Sequence, residues 1–384
     1  MRTGFLTAIA VSAPLVIVAC GADEGPTQPA AATKLVFTVS PTNAAGAQSI
    51  TPAVQVAVQD ASGNTVTNAT ATVTVALGAN PGAGTLSGTL TVAAIQGIAT
   101  FSDLRIDRPG SGYTLAASAG GLSGATSVPF AVTLTFTAVS AGGLYTCGLA
   151  AAGAAYCWGY NEYGALGDGT TTDRSSPGLV AGGVSFTAVS ASAAGGYTCG
   201  LAAAGAASCW GANGSGQLGD GTTTDRLTPG LVAGGVSFAA VRAGWYHTCG
   251  LTAAGAAYCW GANVFGQLGD GTTTDRASPV LVAGGVSFAA VSASYYHTCG
   301  LTAAGAAYCW GTNEYGQLGD GTTTNQLTPG LVAGGVSFAA VSAGSLHTCG
   351  VTAAGAAYCW GDNRHGELGD GTTIDRLTPV RVVQ

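Results

Sequence analysis

The sequence predicts an all-β protein in two folded parts, a β-sandwich followed by a β-propeller of five visible repeats. Three observations carry this prediction. The stretch His247 to Gly261 (HTCGLTAAGAAYCWG) recurs five times, barely altered, between Phe136 and the C-terminus. Its second cysteine falls at Cys157, Cys209, Cys259, Cys309 and Cys359, which are 52, 50, 50 and 50 residues apart, a period in the range of propeller blades. Ahead of the repeats lies a cysteine-free stretch whose residues alternate and are rich in β-branched types, the pattern of half-buried strands.

Composition narrows the function classes. The chain has 384 residues, 63 of them glycine, and those glycines keep fixed repeat positions, as turns in an ordered fold would. Mean hydropathy is +0.38 with 8% charged residues, yet after residue 20 no apolar run is long enough to span a bilayer. Lys and Arg total 11 against a net charge of −7. A basic face able to follow a phosphate backbone is therefore not expected, and nucleic acid is a poor partner. The same deficit disfavours electrostatic docking on an anionic membrane.

Taken in order, residues 1–19 have a basic start at Arg2, an apolar core from Phe5 to Val18 and the small residue Ala19 before Cys20. That is the form of a secretory signal peptide, too short for a transmembrane helix. Its ending, Ile17-Val18-Ala19-Cys20, resembles the lipobox of bacterial lipoproteins. The resemblance implies cleavage before Cys20, lipidation of that cysteine and a location in the bacterial cell envelope, on the outer membrane or cell surface. Residues 20–33 then read as the lipidated cysteine and a flexible tether, small, polar and proline-bearing.

Over residues 34–133 the expected strands are Lys34–Ser40, Ala53–Gln59, Ala71–Leu77, Thr89–Ala93, Ile98–Phe101, Gly112–Ser118 and Thr126–Val132. Seven short strands in this length fit a β-sandwich of immunoglobulin type. The runs Val56–Asn64 (VAVQDASGN), Gly97–Leu104 (GIATFSDL) and Gly112–Leu115 (GYTL) resemble bacterial Ig-like domains of surface proteins, which usually act as spacers.

Residues 134–384 hold the repeats. In the third, the strand candidates are Phe238–Ala243, His247–Thr252, Ala256–Trp260 and Val280–Val282, four per unit as in propeller blades. The motifs Cys259-Trp-Gly-Ala-Asn263, Gly266-Gln-Leu-Gly-Asp-Gly271 and Ser278-Pro279 resemble the RCC1 repeat. That resemblance implies an RCC1-type propeller, but the family's full ring has seven blades and five units are visible here. The terminal Thr378–Gln384 matches the strand that opens a blade, so closure of a five-bladed ring by strand exchange with the first blade is favoured, because exposed strand edges invite aggregation; the alternative is that Ala131–Leu134 fills that slot and leaves an open array.

Of the 11 cysteines, ten form five Cys-x9-Cys pairs, the usage of an oxidising compartment. Thr252-Ala-Ala-Gly-Ala256 places Gly where a three-residue hairpin loop needs a left-handed residue, which sets Cys249 opposite Cys259. Five disulfides are thus expected: Cys147–Cys157, Cys199–Cys209, Cys249–Cys259, Cys299–Cys309 and Cys349–Cys359. Each closes a short loop, with a gain of about 2 kcal/mol as a ceiling.

His247, His297 and His347 alternate with Tyr145 and Tyr197 at one repeat position, which fits packing better than a metal ring. Asp168, Asp220, Asp270, Asp320 and Asp370 lie in Leu-Gly-Asp-Gly-Thr, each except the fourth followed by an Asp-Arg pair; that copy has Asn325-Gln326. Their spacing is not that of a calcium loop, so they are read as turn formers within a charge pair or turn network, with calcium as the second reading. No nucleophile elbow, phosphate loop or His-Glu-x-x-His motif occurs, so no catalytic residue, metal or cofactor is expected.

Where copies differ, recognition can reside. One variable patch precedes the cysteine hairpin and holds Leu144, Trp245, Tyr246, Tyr295, Tyr296, Ser345 and Leu346. A second follows Cys-Trp-Gly and holds Tyr160, Glu162, Tyr163, Val264, Phe265, Glu314, Tyr315, Asp362, Arg364 and His365. Aromatic residues in such loops favour a binding face for an unknown protein or glycan at the cell surface. Among RCC1-like propellers are guanine-nucleotide exchange factors and secreted inhibitors of β-lactamase. A signal peptide and disulfides do not suit exchange on a cytosolic GTPase, so no GTPase is expected. The alternative class is a secreted enzyme or enzyme inhibitor.

Overall fold

A computed structural model describes Met1, residues 31–194 and residues 196–383. The expected leader and Cys20 lie outside the described residues. The fold is all-β, with nine small sheets and two single 3-10 turns at Ala151–Gly153 and Ala233–Gly235. No helix among the described residues is long and apolar enough to cross a membrane.

The N-terminal unit builds four of the sheets around one apolar core. Lys34–Val39, Val54–Gln59 and Ile98–Phe101 form one sheet, and Thr72–Leu77 is central in another. In Thr72–Leu77 the side chains alternate, so Val73 and Val75 are buried while Thr72 and Thr74 face solvent. Two expected strands are each divided in the structure. Gly112–Ser118 becomes Gly110–Tyr113, paired with Phe130–Thr133, and Leu115–Ser118, paired with Thr72–Leu77. Gly112, at φ +94°, supplies the backbone freedom beside the point where the chain leaves one sheet for the other. Thr126–Val132 likewise separates into Ala125–Thr126 and Phe130–Thr133, with Pro129, which has no N–H to donate, in the gap.

The remaining five sheets are the repeat units, each a four-stranded antiparallel blade in simple sequential order. In the third blade the strands are Ala240–Ala243, His247–Leu251, Ala257–Gly261 and Arg276–Leu281. The hairpin has the expected register. Gly255 adopts φ +84°, Thr252 N–H donates to Ala256 O at 3.0 Å, and Cys249 lies opposite Cys259. All five disulfides form, with Cα atoms 4.1 Å apart, the close approach of a non-hydrogen-bonded pair.

The fourth strand corrects the expected closure. Arg376–Arg381 pairs with Ala357–Gly361 in its own blade, and the first blade completes itself with Arg174–Leu179. Among the described residues no strand pairing joins the first blade to the fifth. Each fourth strand is an edge strand, half-exposed and carrying a proline at Pro177, Pro229, Pro279, Pro329 or Pro379, which an edge tolerates because its outer N–H groups need no partner. The outer faces of the array stay open: Val139 in the first blade is 67% exposed and Val351 in the fifth 37%, whereas Val241 and Leu301 inside the array are buried.

Successive blades are joined by one repeated contact. The indole N–H of Trp260 and the hydroxyl of Thr248 both donate to the backbone oxygen of Gln217 in the preceding blade, at 2.9 and 2.8 Å. Thr198 and Trp210 use Ala165 O in the same way, Thr298 and Trp310 use Gln267 O, and Thr348 and Trp360 use Gln317 O. Trp210, Trp260, Trp310 and Trp360 are fully buried. An indole of roughly 200 Å² buried this way contributes about 5 kcal/mol of transfer free energy before entropy is counted. Trp158, with no blade before it, is only half-buried.

A candidate recognition face on blades three to five

The loop that precedes each cysteine hairpin and the loop that follows Cys-Trp-Gly are stitched together by a backbone hydrogen bond. The donors are Tyr160, Ala212, Ala262, Thr312 and Asp362, and the acceptors are the oxygens of Leu144, Gly196, Tyr246, Tyr296 and Leu346, at 2.9 to 3.1 Å. The two variable patches of the sequence are therefore one face, since the strands beneath bring their loops side by side in every blade.

A buried asparagine fixes the shape of the second loop. Asn263 Oδ1 accepts from Leu268 N–H, and its Nδ2 donates to Asp270 Oδ1 and to Thr272 O and Thr274 O, all near 3.1 Å. Asp270 also accepts from the Thr272 amide and hydroxyl and from Arg276, so both its oxygens are engaged. These hydrogen bonds, against the opposing effect of burial, hold its carboxyl below the usual range. The expected Asp-Arg charge pair needs correction here. Arg276 pairs with Asp270, while the adjacent Asp275 accepts from the backbone N–H of Asn263 at 2.7 Å. In the fourth blade Asn325 performs the same capping at 2.8 Å, and Gln326 Nε2 takes the arginine's place on Asp320 at 3.0 Å. Acid and base make separate hydrogen bonds, and each is replaced by an amide that keeps its own. These hydrogen bonds make the aspartates turn formers, as read from the sequence.

His247 and His297 are struts between blades, whereas His347, in the last blade, is half-buried. His247 Nε2 meets Thr298 Oγ1 at 2.8 Å and His297 Nε2 meets Thr348 Oγ1 at 2.9 Å, both rings fully buried. Burial pushes their pKa values down to about 4 and about 3. The tyrosines at this position do the same work differently: the hydroxyl of Tyr145 donates to Tyr197 O, and that of Tyr197 to His247 O.

On this frame the unlike residues of blades three and four form a continuous aromatic strip. Tyr246 stacks on Trp245, Trp245 meets the edge of Tyr295, Tyr295 meets Tyr296, and Tyr296 meets Phe265 edge-on at 4.9 Å between ring centres. All five are half-buried. A hydrogen bond with Tyr296, reinforced by burial, pushes the Tyr295 hydroxyl up to about 12. Tyr315 continues the strip, with the Arg364 guanidinium 4.7 Å above its ring centre and held in place by a fork to Asp362 at 2.8 and 2.9 Å.

Most of the residues singled out from sequence meet at this strip, though not all. Trp245, Phe265, Tyr295, Tyr296, Tyr315 and Leu346 line one cleft of about 380 Å³. Tyr163 and Tyr246 line a second of the same size on the second blade, and Leu144 lies with Tyr163 in a third between the first two blades. His365 is exposed and belongs to none of these clefts. Sequence reasoning missed Thr312 and Gln317, which form part of the large cleft while being buried. Gln317 is shared with Gln217 and Gln267 and so reads as framework, whereas Thr312 lies at a variable position, with Tyr160 and Asp362 in the first and fifth copies.

Five antiparallel four-stranded blades stacked through one repeated contact define a β-propeller repeat protein. A family model for the RCC1-like domain matches residues 114–384, and the chain belongs to that family. No curated protein matches it in sequence. Among solved structures it is similar to yeast RCC1 (Prp20) in complex with Kap60, at 20% identity and a TM-score of 0.59, covering 67% of this chain and 65% of that one. It is also similar to Prp20p from Saccharomyces cerevisiae, at 17% identity and a TM-score of 0.57 over 83% and 87% of the two chains. Human WBSCR16 gives 18% identity and a TM-score of 0.58 over 82% and 95%. At these identities the likeness is one of fold.

Proposed function

We propose that this protein is a non-catalytic recognition or adhesion module of the bacterial cell envelope. Its propeller binds a protein or glycan partner through the aromatic strip, its N-terminal unit is an Ig-like spacer, and Cys20 carries the lipid anchor. The observation that carries this reading is the strip itself. Half-buried Trp and Tyr side chains, rigid and ready to bury a large area, are concentrated on two blades while the frame beneath is nearly identical in all five. One similar propeller, yeast RCC1 (Prp20), is described in two structures by what it binds, Kap60 in one and Gsp1p and histones in the other, which supports a partner-binding role for this fold. The leader-like N-terminus and the five disulfides favour a partner outside the cytosol over a GTPase.

The test is capture of envelope components by the chain carrying Cys20→Ser, with and without W245A, Y246A, Y295A and Y296A together. Loss of the captured species in the quadruple variant, with the far-UV spectrum unchanged, is expected. Unaltered capture places recognition elsewhere and overturns the proposal.

A further inference from the structure

The cleft on the fourth blade has a polar floor beneath its aromatic walls. Gln317 is fully buried there; its Oε1 accepts the Tyr315 N–H at 3.0 Å, which leaves Nε2 as a donor, and that nitrogen has no partner. Glu314 stands exposed at the same cleft and Thr312 is buried in it. The second blade offers an internal comparison. Its equivalent cleft has the same volume, about 380 Å³, and the same glutamine, Gln217, but Gly214 and Ser215 replace Glu314 and Tyr315. The orphaned amide nitrogen recurs at Gln267, and the carboxylate and tyrosine recur at Glu162 and Tyr163 of the first blade, where Ala165 stands in place of the glutamine; the fourth blade combines all three.

We infer that this cleft binds a neutral saccharide, which deepens and rests on the recognition reading above. An aliphatic ligand would cover the Gln317 N–H₂ and the Glu314 carboxylate without satisfying either, a costly burial. An anion would face Glu314 in a chain of net charge −7. A quaternary cation would suit the rings and Glu314 but offers no acceptor to Gln317. A sugar hydroxyl accepts from Gln317, a neighbouring one donates to Glu314, and the C–H face of the ring lies against the negative faces of Tyr296 and Tyr315. The volume falls within the roughly 300–1,000 Å³ range of small-ligand sites.

Saturation-transfer NMR on the chain carrying Cys20→Ser, titrated with cellotetraose, maltotetraose, chitotetraose and tetramethylammonium, tests this. At least one saccharide is expected to bind, with binding abolished by Y296A and weakened about tenfold by Q317E, the loss of one hydrogen-bond donor. Q317E is compatible with the frame, because Glu367 at this position in the fifth blade accepts the equivalent N–H of His365 at 2.9 Å. Binding of none of the three saccharides, binding of tetramethylammonium alone, or affinity unchanged by Q317E overturns the inference. If the quadruple aromatic variant still loses its captured partner while no saccharide binds, the recognition reading stands and only the saccharide is refuted.

Discussion

Replacing Gly219 by Ala puts the blade-to-blade contact to its sharpest test. A Cβ built there lies 2.5 Å from Trp260 Nε1 and 2.7 Å from its Cδ1, so the indole must move. That indole is fully buried and donates to Gln217 O at 2.9 Å, and moving it leaves the N–H without water or partner. The lost bond costs about 1–3 kcal/mol. Gly219 also sits at φ +72°, where a residue with a Cβ costs roughly 1–2 kcal/mol. The sum is about 2–5 kcal/mol. Gly369→Ala is the control. It occupies the same loop position at φ +59°, but the nearest atom to its Cβ is Val382 Cγ1 at 3.1 Å, because no tryptophan is stacked above the fifth blade. It should lose only the backbone part, about 1–2 kcal/mol. Urea denaturation followed by tryptophan fluorescence measures both. Equal losses in G219A and G369A would refute the claim that the indole contact, and not backbone geometry, joins the blades.

Three further outcomes are expected. The double variant C249A/C259A should unfold with about 2 kcal/mol less stability than the parent, and thiol labelling of unfolded, unreduced protein carrying Cys20→Ser should find no free cysteine. Asp270→Ala should cost about 2–3 kcal/mol because it strips partners from buried Asn263, whereas Arg276→Ala, at a half-exposed side chain, should cost under about 1 kcal/mol; equal costs in urea melts would show that the ion pair, and not the turn network, matters. Stability should fall with pH below about 6.5. Between that value and about 4 the unfolded chain takes up a proton at His247 that the native state refuses, so stability rises with pH across the window and is complete above it. The contribution is roughly 3 kcal/mol. His247→Tyr, which installs the residue found at Tyr197, should reduce that slope while His297 maintains the remainder, and parallel pH curves for variant and parent would disprove it.

The repeat hairpin was fully legible because its chemistry is local. One glycine at the left-handed position of a short loop sets the register, and register alone brings Cys249 to Cys259. The fourth strand was misplaced because Arg276–Leu281 lacks an apolar alternation; it is an edge strand whose pairing partner is set by its neighbour, with a register shift between Cys259 and Gly261. Closure was preferred over an open array, but a strand at Arg376–Arg381 suits its own blade as well as a distant one, and the sequence does not distinguish the two. For the candidate face, differences between copies pointed to aromatic residues that the fold brings together, but the same criterion passed over Gln317, Thr312 and Asn263. Asn263 recurs in all five copies and Gln317 in three, so both read as framework, and their part in the face shows only in what each one touches.

The joint between blades also makes the fifty-residue unit an interchangeable part. Every blade presents a carbonyl acceptor forward and a threonine and tryptophan backward. A unit duplicated, deleted or transplanted in frame meets its new neighbours through a seam already cut to fit. The loops above can then diversify one copy at a time, without any joint being redesigned, so the array is a rack in which binding chemistry is exchanged by the slot.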